Sequence, residues 1–276
     1  MTRLRAADVL AITDDWSDYD RLQRNMLGVD LPALAARSAG RDPQEVAARL
    51  KGRRLAAVSI SDGEGVVGGF AESLAAIGRR MGLESTVMTR PDQNGFEEAG
   101  RWGADLIIYA DDERFLVIDR RTGRTADNNP ATSRVYVAAL ELMAPEKSLA
   151  GREVVVLGLG IIGRGAAGRL TELGAKPLMY DPDPARRETA AASVNGGSIL
   201  TSRDELAGAL SRTNLILEAV CRREALEASL WPESPVVAAP GVPLSWPEGW
   251  LQGEGGGRLW HDPLQSGTAA MLAELA

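Results

Sequence analysis

The apolar positions of the chain form short runs, which alternate with stretches in which apolar residues recur every three or four positions. In the first half the short runs predict strands at Leu55–Ile60, Ser85–Met88, Asp105–Tyr109 and Phe115–Ile118. The helical spacing predicts helices at Arg5–Leu27, Leu31–Ala39, Pro43–Leu50, Val66–Met81 and Asp92–Trp102. Strands that alternate with helices are typical of a parallel sheet, so the first half is predicted to be an α/β domain.

The second half of the chain repeats this alternation. After a loop at Arg120–Pro130 and a helix at Ala131–Met143, strands are predicted at Glu153–Leu157, Pro177–Tyr180, Asn214–Ala219, Val236–Ala239 and Arg258–His261. A final helix at Gln265–Leu275 is expected to fold back onto the first half. The predicted fold is therefore α/β with two domains. Residues 1–146 are predicted to form N-terminal helices, an α/β domain and a linker helix, and residues 147–276 are predicted to form a second, doubly wound α/β domain of the Rossmann type.

One strand of the second half ends in a glycine-rich turn. Val154–Leu157 is followed by Gly158-Leu159-Gly160-Ile161-Ile162-Gly163, and a helical pattern begins within that turn. In this context G-x-G-x-x-G is typical of a dinucleotide site, and all six residues are assigned to the cofactor. Gly158 permits the tight turn, Gly160 leaves room for a pyrophosphate, and Gly163 lets the helix pack against the strand. The N–H groups at the start of the helix attract the anion. A βαβ unit whose glycines only tighten a turn is the alternative.

An acidic residue at the end of the next strand bears on the choice of cofactor. Asp181 lies 23 residues beyond Gly158, close to the spacing of a carboxylate that binds the adenosine ribose and repels a 2′-phosphate, so NAD is favoured. Two nearby arginines would favour NADP, but Arg186 and Arg187 are expected to face solvent. Further cofactor contacts are expected from the ends of two later strands, at Ala219, Val220, Cys221, Pro240 and Gly241.

Composition argues against several other classes of function. Of the 276 residues 45% are hydrophobic, enough for two cores, and the net charge of −7 argues against a nucleic-acid partner. The sequence contains no run long enough to span a membrane and no apolar signal core at the N-terminus. The single cysteine, Cys221, cannot form an internal disulfide, so a cytoplasmic location is expected. The single histidine, His261, argues against a metal site and is expected to be structural. A homodimer is the default expectation for assembly.

Polar residues follow three predicted strands of the first half. They lie at Ser61–Gly65, Ala110–Asp112 and Asp127–Pro130. Ligands of open α/β sheets bind at the carboxyl ends of the strands, and carboxylates and amides there suit a substrate with ammonium groups. The alternative is that these residues only cap helices and form turns, which Asp, Asn and Ser also favour.

These segments, taken in chain order, resemble one enzyme family. The resemblance is carried by Ser61–Phe70, Ala110–Asp112, Asp127–Pro130, Val156–Gly160, Ala239–Pro243 and Asp262–Leu272. The chain resembles the methylornithyl-lysine dehydrogenases, or pyrrolysine synthases, which complete pyrrolysine biosynthesis. The resemblance implies that hydride passes to NAD from the carbon bearing the terminal amine of 3-methylornithyl-Nε-lysine. It also implies that ammonia is then lost and that a pyrroline ring closes.

The resemblance implies roles for particular residues. Asp111 is expected to hold the amino end of the substrate and to accept its proton, directly or through water, whereas Asp112 is expected to cap the turn. Ser61 and Asn128 are expected to bind polar groups of the substrate, and an asparagine of the loop Asp127–Pro130 is expected to polarise the amide that joins its two halves.

The remaining expectations concern the walls of the site and its departures from the family pattern. Phe70 is expected to form an apolar wall, and Leu4 and Arg5 lie in the N-terminal helix that covers the site in this family. Three acidic residues depart from the pattern, Asp62, Glu64 and Asp127. Two alternatives therefore stay open: an NAD-dependent dehydrogenase of another diamino acid or imine, and an NAD-binding sensor that turns nothing over.

Overall fold

The computed structural model describes Val9, Ile12 and residues 16–63, 65–222, 226–245 and 257–276. The chain divides into two compact units. The first unit comprises residues 1–135 and 263–276, and the second comprises residues 136–262. The boundary falls within a helix, Asn128–Met143, and the last helix of the chain belongs to the first unit.

The first unit is built on a five-stranded sheet. Its helices are α1 (Ser17–Leu27), α2 (Leu31–Ser38), α3 (Pro43–Leu50), α4 (Phe70–Arg80), α5 (Asp92–Trp102) and the start of α6 (Asn128–Met143). Its strands are β1 (Arg54–Ala57), β2 (Glu84–Val87), β3 (Leu106–Ala110), β4 (Phe115–Asp119) and β5 (Thr125–Asp127). The strand order is β2-β1-β3-β4-β5, with β2, β1 and β3 parallel and β4 and β5 added as antiparallel hairpins. The ends of β1, β3 and β5 and the start of β4 therefore share one edge of the sheet.

The second unit carries a six-stranded sheet in which all strands are parallel. Its strands are β6 (Glu153–Leu157), β7 (Lys176–Tyr180), β8 (Ser198–Ile199), β9 (Leu215–Glu218), β10 (Val236–Ala238) and β11 (Arg258–Trp260). Its helices are α7 (Ile161–Glu172), α8 (Pro184–Ser193) and α9 (Arg203–Leu210), with single 3₁₀ turns at Pro145–Lys147 and Ala228–Leu230. The order β11-β10-β9-β6-β7-β8 is that of a doubly wound nucleotide-binding sheet, with its switch point between β6 and β9. The predicted α/β fold is confirmed.

The last helix of the chain, α10 (Gln265–Glu274), is buried along its whole length in the first unit. A helix that is apolar on every side has to be covered on every side, and α10 packs against α2 and α4. Its end is held by arginines: Arg53 donates to the carbonyl oxygen of Leu275 at 3.1 Å, and Arg41 to that of Ala276 at 2.7 Å. Arg53 also forms a buried ion pair with Asp119 at 2.8 Å.

Two predicted elements of the first unit are wrong. The helix expected from Val66 begins only at Phe70, because Gly65 and Gly69 have φ angles of +82°, which a helix does not accommodate. The segment expected to be a loop up to Pro130 contains β5 and the first turn of α6. There the carboxylate of Asp127 accepts from the backbone N–H of Asn129 at 2.9 Å and caps the helix.

The two-residue strand β8 was not predicted. The helix expected from Arg5 is described as α1 from Ser17, and most residues before it lie outside the described part of the chain. Among the described residues, none of the helices has both the length and the apolar character required to cross a bilayer.

Candidate functional site

The glycine-rich turn joins β6 to α7 in the second unit. Gly158 has a φ angle of +84°, and a Cβ atom on it would lie 2.7 Å from the carbonyl oxygen of Ala219. A Cβ atom on Gly163 would overlap the carbonyl oxygen of Gly158. Both positions therefore require glycine for local packing, as the fingerprint predicts.

Gly160 differs from the other two glycines, because a Cβ atom on it would meet nothing within 4 Å. It is the N-cap residue of α7 and has no side chain that could cap the helix. The next residue, Ile161, is 61% exposed, which is unusual for a large apolar side chain. Open space and an exposed apolar surface at the start of a helix fit a dinucleotide whose pyrophosphate lies over Gly160.

Asp181 follows β7 and is only 3% exposed. Its Oδ2 atom accepts from the N–H of Leu159 at 2.8 Å, and its Oδ1 atom accepts from the N–H of Asp183 at 2.9 Å. The carboxylate thus ties the end of β7 to the glycine-rich turn. Because a carboxylate oxygen can accept more than one hydrogen bond, these bonds leave capacity for ribose hydroxyls.

The two arginines beyond Asp181 do not simply face solvent. Arg186 is exposed but its Nη1 lies 3.7 Å from Asp181 Oδ2, and half-buried Arg187 donates to the carbonyl oxygen of Asp181 at 2.7 Å. The expectation for Arg187 was wrong, since free carbonyl oxygens at the strand end attract a guanidinium. The positive charge of Arg186 therefore lies beside Asp181, and it offsets part of the repulsion that Asp181 would exert on a 2′-phosphate.

The loop after β9 is enclosed by glycines from both neighbouring strands. Gly158 contacts Ala219 on one side, and a Cβ atom on Gly241 would overlap the carbonyl oxygen of Val220 on the other. Cys221 is exposed, and Pro240, beside Gly241, is half-buried. The structure thus brings together the predicted cofactor residues of the glycine-rich turn and of the loops after β9 and β10.

A buried acid immediately precedes this loop in the chain. Glu218, the last residue of β9, is fully buried, and its Oε1 accepts from the N–H of Val220 at 2.8 Å. Burial raises the pKa of Glu218 to about 7, although the hydrogen bond from Val220 acts in the opposite direction. His261 is anchored by its Nδ1, 2.7 Å from the carbonyl oxygen of Ala239, so Nδ1 carries the proton. This contact agrees with a structural role for the histidine.

The polar loops of the first unit meet at one edge of its sheet. A Cβ atom on Gly63 would overlap the carboxylate of Asp112, so the loop after β1 touches the β3–β4 turn. Arg114 in that turn lies 3.6 Å from Asp127 at the end of β5. Loops that carry predicted substrate residues and lie far apart in the chain are therefore neighbours in this unit.

Asp111 has a defined role in its turn. Its Oδ1 accepts from the N–H groups of Glu113 at 2.8 Å and Arg114 at 2.6 Å. Asp111 therefore caps the β3–β4 turn. In the described part of the chain its Oδ2 forms no hydrogen bond. The turn fixes one oxygen of an exposed carboxylate and leaves the other available.

Ser61 is held by an acid from a different element. Asp92, at the start of α5, accepts from the N–H of Ser61 at 2.8 Å and from its hydroxyl at 2.5 Å. These two hydrogen bonds lower the pKa of Asp92. Asp92 itself has a φ of +55°, a conformation that aspartate tolerates better than most residues.

Phe70 and Asn128 complete the described set. The ring of Phe70 packs edge-on against that of Phe115, at the start of β4, with centroids 5.7 Å apart. Asn128 Oδ1 accepts from Thr132 Oγ1 at 3.1 Å, which directs the Nδ2 donor of the amide elsewhere. A Cβ atom on Gly267 of α10 would lie 2.7 Å from the same Oδ1. The predicted residues Leu4 and Arg5 lie outside the described residues.

Sequence reasoning missed four residues of these sites, Asp92, Phe115, Glu218 and Gly267. Asp92 follows a proline at a helix start, where an acid is ordinary. The signal for Glu218 was present, since it is an acid within the apolar strand Leu215–Glu218. Within the described residues, histidine, cysteine and acids form no group of three that could hold a metal ion.

Two Rossmann-type dehydrogenases of solved structure have a similar fold. Quinate dehydrogenase from Corynebacterium glutamicum in complex with NAD superposes with a TM-score of 0.51 at 14% identity, over 81% of this chain and 91% of that chain. Shikimate 5-dehydrogenase from Thermus thermophilus in complex with NADP(H) and shikimate gives 0.53 at 18% identity, over 81% and 92%. These likenesses establish the fold alone.

Sequence similarity to known proteins is more specific than the similarity of fold. Residues 8–126 match the family model "Pyrrolysine biosynthesis protein PylD, N-terminal domain". The chain is 29% identical to pyrrolysine synthase of Methanosarcina acetivorans, over 99% of this chain and 98% of the relative. It is 27% identical to pyrrolysine synthase of Methanosarcina barkeri, over 99% and 97%. The predicted resemblance to pyrrolysine synthases is confirmed over nearly the whole chain.

Proposed function

We propose that this chain is an NAD-dependent dehydrogenase that completes pyrrolysine. The substrate is 3-methylornithyl-Nε-lysine, and the group oxidised is its terminal amine. The observation that carries the proposal is similarity to pyrrolysine synthases along 99% of the chain, which spans both units and therefore both predicted sites. The glycine-rich turn and the polar edge of the first sheet supply the binding groups that such a reaction needs.

The second unit is the proposed cofactor unit. The turn at Gly160 fits a pyrophosphate, and Asp181 retains acceptor capacity for ribose hydroxyls. Bound NAD would supply the hydride acceptor. Asp181 favours NAD, whereas Arg186 at 3.7 Å reduces its repulsion of a 2′-phosphate, so we expect a preference for NAD that is not absolute.

The first unit is the proposed substrate unit. Oxidation requires a neutral amine, because an ammonium nitrogen has no lone pair to drive the hydride from carbon. Asp111 Oδ2 is the proposed acceptor of that proton, directly or through water, while the backbone of the turn holds Oδ1. Asn128 Nδ2 is the proposed donor to the carbonyl oxygen of the amide that joins the two halves of the substrate. Phe70 and Phe115 supply an apolar wall.

The remaining chemistry follows from the substrate. Loss of hydride from the carbon and of a proton from the amine leaves an imine. The ornithine α-amine then adds to the imine carbon, ammonia leaves, and the C=N bond of a five-membered pyrroline ring remains. Asp111 is the proposed acceptor of the proton that the amine loses. Ring closure needs no second oxidation.

Turnover of the defined substrate tests the proposal. We would mix the purified chain with NAD⁺ and 3-methylornithyl-Nε-lysine, follow absorbance of NADH and determine the mass of the product. The proposal requires NADH, ammonia and a product with the mass of pyrrolysine. NAD binding without turnover would instead favour a different diamino substrate or a sensor.

A pair of variants tests the assignment of the base. Asp111→Ala should lower NADH formation by about a hundredfold or more while NAD binding stays intact, because general base catalysis contributes about that much. Asp112→Ala removes a neighbouring carboxylate from the same turn and is the matched control. Equal losses in both variants would show that the turn matters but that Asp111 is not the base.

A further inference from the structure

Ser61 and Asp92 form a pair that sequence spacing does not reveal. Ser61 follows β1, Asp92 begins α5 after β2, and the two strands are parallel neighbours. Both carboxylate oxygens of Asp92 are used on one residue: Oδ1 by the N–H of Ser61 and Oδ2 by its hydroxyl. The pair therefore fixes the position of Ser61 through two hydrogen bonds.

The direction of these bonds determines what Ser61 can offer a ligand. An ionised carboxylate only accepts hydrogen bonds, so the hydroxyl of Ser61 must donate its proton to Asp92. The backbone N–H of Ser61 is also committed to Asp92. Ser61 is exposed, and its Oγ atom can still accept hydrogen bonds from a ligand. The negative charge of Asp92 lies next to this acceptor.

The surroundings add to the negative charge. The carboxylate of Asp62 accepts from the N–H of Gly63 at 2.9 Å, and the carboxylate of Asp112 contacts Gly63 from the β3–β4 turn. A carboxylate or carbonyl group of a ligand would find no donor on Ser61 and would be repelled. An ammonium group would find an acceptor and a favourable field.

We propose that Asp92 is a positioning residue that commits Ser61 to accept a hydrogen bond, and that this pair recognises an ammonium group of the substrate. The inference rests on the proposed function, because it takes Ser61 to be a substrate contact. It adds the class of group that Ser61 binds, a cationic nitrogen, and the residue that imposes this choice.

Asp92→Asn tests the inference with little structural cost. Asparagine also tolerates a positive φ, and its carbonyl oxygen can still accept from the N–H of Ser61. Its amide nitrogen would face the Ser61 hydroxyl as a donor, so the polarity of the pair would be reversed. We expect the KM for 3-methylornithyl-Nε-lysine to rise about tenfold with little change in kcat, as for a lost hydrogen bond to a charged group.

Glu98→Gln is the matched control. Glu98 lies in the same helix and accepts from the N–H and hydroxyl of Thr89 and from the N–H of Arg90, which lie in the loop before Asp92. It holds the same loop but does not touch Ser61. A purely structural role for Asp92 would make the two variants behave alike, whereas a positioning role raises KM only in Asp92→Asn.

Substrate analogues that each lack one amine identify which amine Ser61 recognises. In the wild type, removal of the recognised amine should weaken binding about tenfold, and in Asp92→Asn the same removal should have almost no effect. An unchanged KM in Asp92→Asn, equal effects in both variants, or an equal loss for every analogue in both proteins would overturn the inference and leave the proposed function intact.

Failure of the proposed function would be distinguishable. If the wild type forms no NADH from 3-methylornithyl-Nε-lysine, calorimetry with L-ornithine and L-lysine replaces kinetics. Binding by the wild type that is weakened in Asp92→Asn but not in Glu98→Gln would support an ammonium site. Absent binding, or equal binding by all three proteins, would overturn the inference.

Discussion

The buried acid at the end of β9 makes the stability of the chain depend on pH in an unusual direction. Burial raises the pKa of Glu218 to about 7 in the folded chain, against an ordinary value of 4.5. Between these values the unfolded chain has lost the proton and the folded chain still holds it. The unfolded state therefore binds fewer protons, and stability falls as pH rises through this window.

The size of the effect follows from the two pKa values. One pKa unit corresponds to about 1.4 kcal/mol, so the raised pKa costs about 3 kcal/mol of unfolding free energy above pH 7. Glu218→Gln replaces the acid with a neutral group of the same shape, whose oxygen can still accept from Val220. The variant should resemble the wild type near pH 4.5 and become more stable than it by about 3 kcal/mol at pH 8.

Urea unfolding followed by tryptophan fluorescence between pH 4.5 and pH 8 measures this difference. Groups that titrate in both proteins cancel in the comparison of variant with wild type. The difference in unfolding free energy should grow by about 1.4 kcal/mol per pH unit within the window. A difference that is constant with pH would show that Glu218 titrates alike in both states and that its burial has no electrostatic cost.

Three further changes have distinct expected outcomes. Asp181→Ala should weaken NAD binding about tenfold and reduce its preference over NADP, as measured by fluorescence titration. Gly267→Ala should displace the amide of Asn128 and raise substrate KM about tenfold, while urea unfolding changes by less than about 1 kcal/mol because a flexible side chain can move aside. Arg53→Met should cost about 3–5 kcal/mol in urea unfolding, because it leaves the buried Asp119 carboxylate without its cation.

For each of these three variants, one result would contradict the prediction. An unchanged cofactor preference in Asp181→Ala would mean that another residue reads the ribose. Normal kinetics in Gly267→Ala would remove Asn128 from substrate binding or show that it tolerates displacement. A stability loss below about 1 kcal/mol in Arg53→Met would show that water replaces the arginine beside Asp119.

Local signals in the sequence predicted much of the fold. The bounds of Pro43–Leu50, Asp92–Trp102 and Glu153–Leu157 agree with the structure. Asp42 caps the start of the first helix, Gly103 ends the second in a left-handed conformation, and a dense apolar run defines the strand. The glycine-rich turn was also predictable, since Gly158 and Gly163 are required by contacts within one βαβ unit and its neighbouring strand. The two- and three-residue strands β8 and β5 were not, because such short strands depend on their neighbours for pairing.

The contacts of the candidate substrate site could not be predicted, because they join segments that are distant in the chain. Asp92 binds Ser61 only because β1 and β2 pair side by side, and the sequence gives no register between them. Gly267 meets Asn128 only because α10 returns to the first unit. Asp111 and Asp112 are adjacent acids in one turn, and only the geometry of the hairpin shows that Asp111 caps it.

The most direct test of the proposed reaction is to follow the hydrogen atoms of the reacting carbon. We would use 3-methylornithyl-Nε-lysine carrying two deuterium atoms on the carbon that bears the terminal amine, with NAD⁺, and analyse both products by mass spectrometry. The proposal predicts one deuterium in the reduced cofactor, one retained in a product of pyrrolysine mass, and release of ammonia. Reduced cofactor without deuterium, or a product that keeps both deuterium atoms, would contradict it.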